Sequence, residues 1–219
     1  REFDQRVVGW VNRLRAEAKQ GRHAPHEMVA LEHVLNEMRL FKSRGEIERM
    51  REAARIAAAA HVRAMQTSAR MLRAGQDVRE YHLEAELLHE FRQHGSQFPA
   101  YTSIVAAGAN ACVLHYRADT APIRDGELVL IDAGCELDGY ASDITRTFPA
   151  NGQFSGPQKD LYQVVLAAQN ASAAATKAGA RFNDPHEAAL KVLSQGLLDL
   201  GLLTQAKHGS LDDVLEKKA

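Results

Sequence analysis

The chain has 219 residues, enough for one large domain or for one domain and a fragment of another. Its 27 basic and 28 acidic residues leave a formal net charge of −1, which gives no electrostatic reason to expect nucleic acid or an anionic membrane as a partner. No uninterrupted apolar run is long enough to span a bilayer, so no membrane association is expected.

The first forty residues predict one helix followed by a connector. Residues 2–20 carry apolar side chains at helical spacing, and Gly21 follows as a stop signal. Residues 28–42 have a mixed pattern that predicts a connector and a domain boundary.

Two helices are predicted next, over residues 43–67 and 77–94. Each begins with a capping-box spacing, in which a polar residue is followed three positions later by an acidic one. The two pairs are Ser43 with Glu46 and Asp77 with Glu80. The first helix contains an alanine run, Ala57 to Ala60, which suits close packing of a helix on a sheet.

The hydrophobic pattern then changes to that of strands. Residues 102–107 and 142–148 have strand-like patterns, and residues 128–131 form a continuous apolar run as in a buried strand. Helical patterns return in three stretches near the end, over residues 155–178, residues 184–201 and from Ser210 onward. This order predicts an α+β fold in which helices pack on a mainly antiparallel sheet.

Two aspartates, Asp132 and Asp143, are the most informative feature of the chain. Asp132 ends the apolar run, Asp143 lies at the start of the next strand pattern, and the dipeptide Asp138-Gly139 between them is a strong hairpin signal. A two-residue turn there places Asp132 opposite Thr145. Asp143 then lies on the same face as a diagonal neighbour, about 7–8 Å away at Cα.

A metal site and a structural role are both compatible with this spacing. An aspartate near a turn commonly caps its own backbone, and a bulge at Gly134 would change the register. However, a carboxylate at the end of a buried strand needs a partner, and the nearest cation, Arg146, alternates to the other face. A divalent cation is therefore the preferred partner, since oxygen ligation at about 2.0–2.2 Å and two metals about 3.5–4 Å apart fit the span.

His115 is the other candidate, in the loop before the strand that carries Asp132. A histidine there could donate a hydrogen bond to a substrate carbonyl or to a developing oxyanion. The alternative is a loop histidine that is satisfied by backbone groups. For an isolated histidine, the second interpretation is the more common one.

At these residues the chain resembles the Xaa-Pro aminopeptidases (aminopeptidase P). These belong to the pita-bread metallopeptidases, family M24, together with prolidase, methionine aminopeptidase and creatinase. The resemblance begins with Asp132-Ala-Gly and Asp143-Ile-Thr-Arg-Thr-Phe-Pro, which are similar to the family's first metal-binding segment. Four more segments are similar to the bacterial pattern: Asn36 to Ser43, Tyr81 to Glu84, Leu114 to Tyr116, and Arg124 to Asp132.

The resemblance implies a role for each candidate. Asp132 corresponds to a terminal metal ligand and Asp143 to the aspartate that bridges two metals. His115 corresponds to the histidine that helps to stabilise the tetrahedral intermediate. The family removes the N-terminal residue from peptides that have proline in second position, and it usually works with two Mn²⁺ ions that activate a shared hydroxide. We therefore expect Xaa-Pro peptides as substrates and a divalent metal pair as cofactor.

The resemblance also implies that part of the site is absent. The family's remaining ligands, one histidine and two glutamates, lie in the second half of the pita-bread fold, and nothing in this chain corresponds to them. The resemblance implies that residues 1–40 are the remnant of an N-terminal domain, consisting of its last helix and a connector. It implies that residues 41–219 are the first half of the catalytic domain, truncated before those ligands. The chain alone is expected to be inactive, and its open sheet edge favours association into a homo-oligomer.

Two alternatives to aminopeptidase P remain open. One is a non-catalytic binding or assembly module on the same fold, although retention of both aspartates favours an enzyme. The other is prolidase or methionine aminopeptidase, although the segment from Met38 to Ser43 favours aminopeptidase P.

The two cysteines, Cys112 and Cys135, form neither a disulfide framework nor a spaced metal motif, so reduced thiols in a cytoplasmic protein are expected.

Overall fold

The computed structural model describes residues 1–216, which divide into two units, residues 1–48 and the residues from Arg49 onward. In the first unit, helix α1 spans Glu2–Ala16 and is followed by a short 3₁₀ turn, Ala18–Gln20. The turn ends at Gly21, whose φ of 81° is left-handed and stops the helix as predicted.

A second helix in this unit, α2, spans Leu31–Leu40. The prediction of a connector over residues 28–42 was therefore wrong for this stretch. The reason is visible in the sequence, because apolar residues recur there at positions i, i+3, i+4 and i+7 of a helix. These residues are Leu31, Val34, Leu35 and Met38.

Among the described residues, five of the remaining helices agree with the predicted order, and the short helix at Gln205–His208 was not predicted. The remaining helices are α3 at Arg44–Arg73, α4 at Glu80–Gln93, α5 at Gly156–Ala175, α6 at Asp184–Asp199, α7 at Gln205–His208 and α8 at Leu211–Glu216. The capping box before α3 is confirmed, since the Ser43 N–H donates to Glu46 Oε2 at 2.6 Å and the Glu46 N–H donates to Ser43 Oγ at 3.4 Å. None of the helices in residues 1–216 has the length and hydrophobicity needed to cross a membrane.

Within residues 49–216, six strands form two small sheets. They are β1 at Phe98–Pro99, β2 at Ile104–Ala107, β3 at Leu128–Ala133, β4 at Cys135–Leu137, β5 at Tyr140–Ala141 and β6 at Ile144–Pro149. One sheet has the order β2-β3-β6 and the other has the order β1-β4-β5. Every strand pair is antiparallel, which confirms the predicted α+β class.

Helix α3 packs on these strands through small side chains. Four alanines along it are fully buried, and their size lets the helix backbone approach the sheet closely: Ala53, Ala57, Ala60 and Ala64. Two polar contacts fix the helix, because Ser68 Oγ donates to the Ala150 carbonyl at 2.8 Å and Cys135 Sγ donates to the Ala53 carbonyl at 3.3 Å. The hairpin that carries the two aspartates therefore rests on a close-packed layer.

Candidate metal centre

Strands β3 to β6 form one long hairpin around the turn Asp138-Gly139. Residues of β4 and β5 pair next to the turn, and Asp132 pairs with Thr145 farther along. This is the predicted register, and it continues past Gly134 without a shift. The geometry that places Asp132 and Asp143 on one face is thus confirmed.

The two arms of the hairpin approach each other very closely at Gly134, where one sheet ends and the other begins. A Cβ on this residue would lie 1.7 Å from the Ser142 carbonyl oxygen, so only glycine fits. Here the Ser142 side chain replaces part of the strand ladder, because the Cys135 N–H donates to Ser142 Oγ at 2.9 Å. The Ser142 N–H in turn donates to the Cys135 carbonyl at 2.9 Å. This close crossing fixes the backbone immediately before Asp143.

The two carboxylates meet at one hydroxyl group, that of Tyr101. The Tyr101 oxygen lies 2.6 Å from Asp132 Oδ1 and 2.9 Å from Asp143 Oδ1. Since a phenol carries a single proton, it donates to one carboxylate at a time. Burial, followed by these hydrogen bonds and the two negative charges, raises the pKa of Tyr101 above its ordinary value. Tyr101 therefore stays protonated and acts as a donor to the pair.

Tyr101 was not among the residues predicted for the site from the sequence. Its only signal is position: it lies three residues before Ile104, and Ile104 pairs with Asp132 across β2 and β3. The pairing of β2 with β3 would place Tyr101 at the same end of the sheet as Asp132. The pairing itself joins segments that are distant in the sequence.

The donor set suits a hard divalent cation. Both Oδ1 atoms lie within hydrogen-bond distance of one atom, so small side-chain rotations would allow them to share an ion. Carboxylate oxygens are ligands that Mn²⁺ and Mg²⁺ favour. Within residues 1–216 there is no group of three or more His, Cys, Asp or Glu side chains that could hold a metal. The two carboxylates are thus candidate ligands, without a group of three such side chains around them in the part of the chain that the structure describes.

Among the described residues, His115 makes no hydrogen bond to this pair. It occupies a turn after a short 3₁₀ segment, Gly108–Cys112, and its φ of 54° is left-handed. The side chain is exposed, and within residues 1–216 it is hydrogen-bonded to neither Asp132 nor Asp143. The structure therefore brings the two aspartates together and leaves the histidine on a separate loop.

A second acidic group, Asp119, lies in the same loop as His115. Among the described residues its Oδ1 atom is buried without a hydrogen-bond partner, and its backbone has a left-handed φ of 52°. Burial raises the pKa of Asp119 more than a hydrogen bond with the Val105 backbone lowers it, and the Glu80 carboxylate adds to the rise. A carboxylate whose pKa is raised by folding destabilises the fold when it is ionised.

Replacing Asp119 by Asn should therefore stabilise the protein at neutral pH, by roughly 2–4 °C in Tm for each kcal/mol gained. Asn also tolerates the left-handed backbone, so the change adds no strain. The advantage should disappear as the pH falls through the raised pKa of Asp119, because wild type is then neutral as well. Thermal melts at several pH values test this, and a constant difference at every pH would contradict it.

Comparison with known proteins agrees with this architecture. The Xaa-Pro aminopeptidase of Haemophilus influenzae is 45% identical over 193 residues, which are 88% of this chain and 43% of that protein. The structure of Pseudomonas aeruginosa aminopeptidase PepP superposes on this chain with a TM-score of 0.88 at 50% sequence identity. The superposition covers 99% of this chain and 47% of the PepP chain.

A zinc-substituted Escherichia coli aminopeptidase P in complex with product superposes with a TM-score of 0.84 at 40% identity, covering 97% of this chain and 46% of that one. The chain thus spans less than half the length of these relatives. It shares the pita-bread fold of the aminopeptidase P structures. The model of metallopeptidase family M24 matches residues 48–211, so the chain belongs to that family.

Proposed function

We propose that this chain is part of a metal-dependent Xaa-Pro aminopeptidase, which removes the N-terminal residue from peptides with proline in second position. The observation that carries the proposal is the meeting of the Asp132 and Asp143 carboxylates at the Tyr101 hydroxyl. The relatives named as Xaa-Pro aminopeptidases support the substrate class. The family match supports metal-dependent hydrolysis.

In this proposal Asp132 and Asp143 would hold divalent cations, a pair of Mn²⁺ ions. Such ions lower the pKa of bound water and polarise a substrate carbonyl. Tyr101 would keep a hydrogen bond to a ligand oxygen and so fix the carboxylate orientation, as partners of metal ligands commonly do. His115 would donate a hydrogen bond to the substrate carbonyl oxygen as negative charge develops on it.

The proposal is tested with the whole protein that contains this chain. It should release the first residue from a peptide such as Ala-Pro-Ala when Mn²⁺ is present, and it should release none after chelation. A matched peptide with alanine in second position should be a much poorer substrate. If Mn²⁺-loaded protein releases no amino acid from Xaa-Pro peptides, the proposed activity is wrong.

The described chain by itself should bind Mn²⁺ weakly and hydrolyse nothing. Two carboxylates supply too few ligands for a closed metal centre, and within residues 1–216 no third candidate ligand joins them. Isothermal titration with Mn²⁺, together with a peptide-release assay, checks this expectation. Turnover by the isolated chain, with close to two ions bound per chain, would contradict it.

A further inference from the structure

Glu80 is a fully buried carboxylate whose side-chain hydrogen-bond partners all lie between residues 107 and 121. Its Oε1 accepts from the Ala107 N–H at 2.9 Å and from Asn110 Nδ2 at 3.0 Å. Its Oε2 accepts from the Tyr116 hydroxyl at 3.1 Å and from the Ala121 N–H at 3.0 Å. All four donors are neutral, and each oxygen takes two hydrogen bonds. Both acceptors of a buried group are thus satisfied, which the interior requires.

These four donors enclose the turn that carries His115. Asn110 and Tyr116 stand on either side of the turn, and they are joined to each other by a hydrogen bond of 2.9 Å from Asn110 Nδ2 to the Tyr116 oxygen. The side chains of Glu80, Asn110 and Tyr116 are therefore all hydrogen-bonded to one another, and this triangle joins the two ends of the turn. The exposed residues of the turn, including His115, project from this triangle.

The same carboxylate ties the turn to the sheet that bears the metal ligand. Ala107 is the last residue of β2, and β2 pairs along its length with β3, where Asp132 lies. Glu80 itself is held at the start of α4, because its N–H donates to the Ala121 carbonyl at 3.1 Å. Hydrogen bonds thus connect the turn to Glu80, Glu80 to β2, and β2 to β3, and this connection sets the position of the turn relative to β3.

We infer that Glu80 is a positioning residue for the peptidase reaction, holding the His115 turn at a fixed place relative to the strand of Asp132. This inference rests on the proposed function, because it assumes that His115 acts on substrate. Glu80 touches neither substrate nor metal in this scheme, and it acts through His115. A misplacement of about 1 Å in a catalytic group can lower a rate by about a hundredfold, so the effect is measurable.

The test is Glu80→Gln in the whole protein. Glutamine keeps the shape of the side chain, but an NH₂ group replaces one of the two carboxylate oxygens. That group cannot accept the two hydrogen bonds that the oxygen accepted. We expect kcat to fall by about tenfold to a hundredfold, with Mn²⁺ affinity unchanged. Hydrogen exchange should become faster at one of two amides, Ala107 or Ala121, namely the one that faces the new amide nitrogen and so loses its acceptor. The matched control, Glu84→Gln, lies one turn farther along α4 and should change none of these quantities.

A double-mutant comparison separates positioning from general stability. In a His115→Ala background, Glu80→Gln should lower kcat little further, since the group that it positions is gone. An equal loss of kcat in both backgrounds, or unchanged kcat and unchanged amide exchange in Glu80→Gln, would overturn the inference. If Glu80→Gln does not fold, Tyr116→Phe is used in its place, because it removes the hydrogen bond from the Tyr116 hydroxyl to Glu80. This variant should show a smaller loss of kcat than Glu80→Gln. No loss of kcat in Tyr116→Phe would again overturn the inference.

Failure of the proposed function gives a different result. Wild-type protein would then release no residue from Xaa-Pro peptides, or His115→Ala would retain full activity. If wild type is active and His115→Ala is impaired while Glu80→Gln is not, the positioning role alone is wrong.

Discussion

Replacing Asp143 by Asn is expected to abolish Xaa-Pro aminopeptidase activity in the whole protein while leaving the metal-free fold intact. The amide loses the negative charge and one of the acceptor oxygens that a divalent cation requires. Metal stabilisation of a transition state is worth several kcal/mol, so a loss of at least about a thousandfold in kcat/KM is expected. Mn²⁺ affinity, measured by titration, should fall in parallel.

The thermal stability of the metal-free protein should not fall together with its activity. Without metal, the Asp132 and Asp143 carboxylates approach one hydroxyl and repel each other. Asn at position 143 removes that repulsion, and its amide oxygen still accepts from Tyr101. The metal-free variant should therefore melt at the same temperature as wild type or slightly higher. This combination distinguishes a lost ligand from a damaged fold.

Asp138→Asn is the matched control, since it makes the same chemical change in the same hairpin. Asp138 is exposed in the turn with a left-handed φ of 53°, a conformation that Asn adopts readily. Its ion pair with Arg49 at 3.5 Å is exposed and contributes less than about 1 kcal/mol. Activity should be retained in this variant. Full activity in Asp143→Asn, or an equal loss in both variants, would contradict the metal role.

Much of the fold could be predicted because the deciding interactions are local in sequence. The turn at Asp138-Gly139 fixes the register of the whole hairpin, and a capping box needs residues only three positions apart. The boxes at Ser43 and at Ser155 both form as local rules require. The α2 helix could also have been predicted from its own periodicity.

The supporting groups of the site could not be predicted in this way. Tyr101 reaches its two carboxylates across 31 and 42 positions, and Glu80 reaches its loop partners across 27 to 41. The sequence pattern predicted Glu80 as part of a capping box with Asp77. In the structure His82 takes that place, since its Nδ1 accepts from the Arg79 N–H at 3.0 Å. Only the tertiary packing turns Glu80 inward.

Gly134→Ala is expected to produce the largest loss of stability in the hairpin. A methyl group there would lie 1.7 Å from the Ser142 carbonyl oxygen, and backbone atoms cannot rotate away as a side chain can. The two strands must separate, which should lower the free energy of unfolding by about 3 kcal/mol or more. Urea unfolding measures this loss. Mn²⁺ binding should be lost too, because Asp143 follows Ser142 directly.

Gly139→Ala is the control that separates this clash from the general effect of replacing a glycine. Gly139 has a left-handed φ of 88°, and no atom lies within 4 Å of the added methyl group. Alanine there should lower the free energy of unfolding by only about 1–2 kcal/mol through backbone strain, and it should leave Mn²⁺ binding unchanged. If Gly134→Ala were as stable as Gly139→Ala and still bound Mn²⁺, the close crossing of the strands would not be what holds Asp143 beside Asp132.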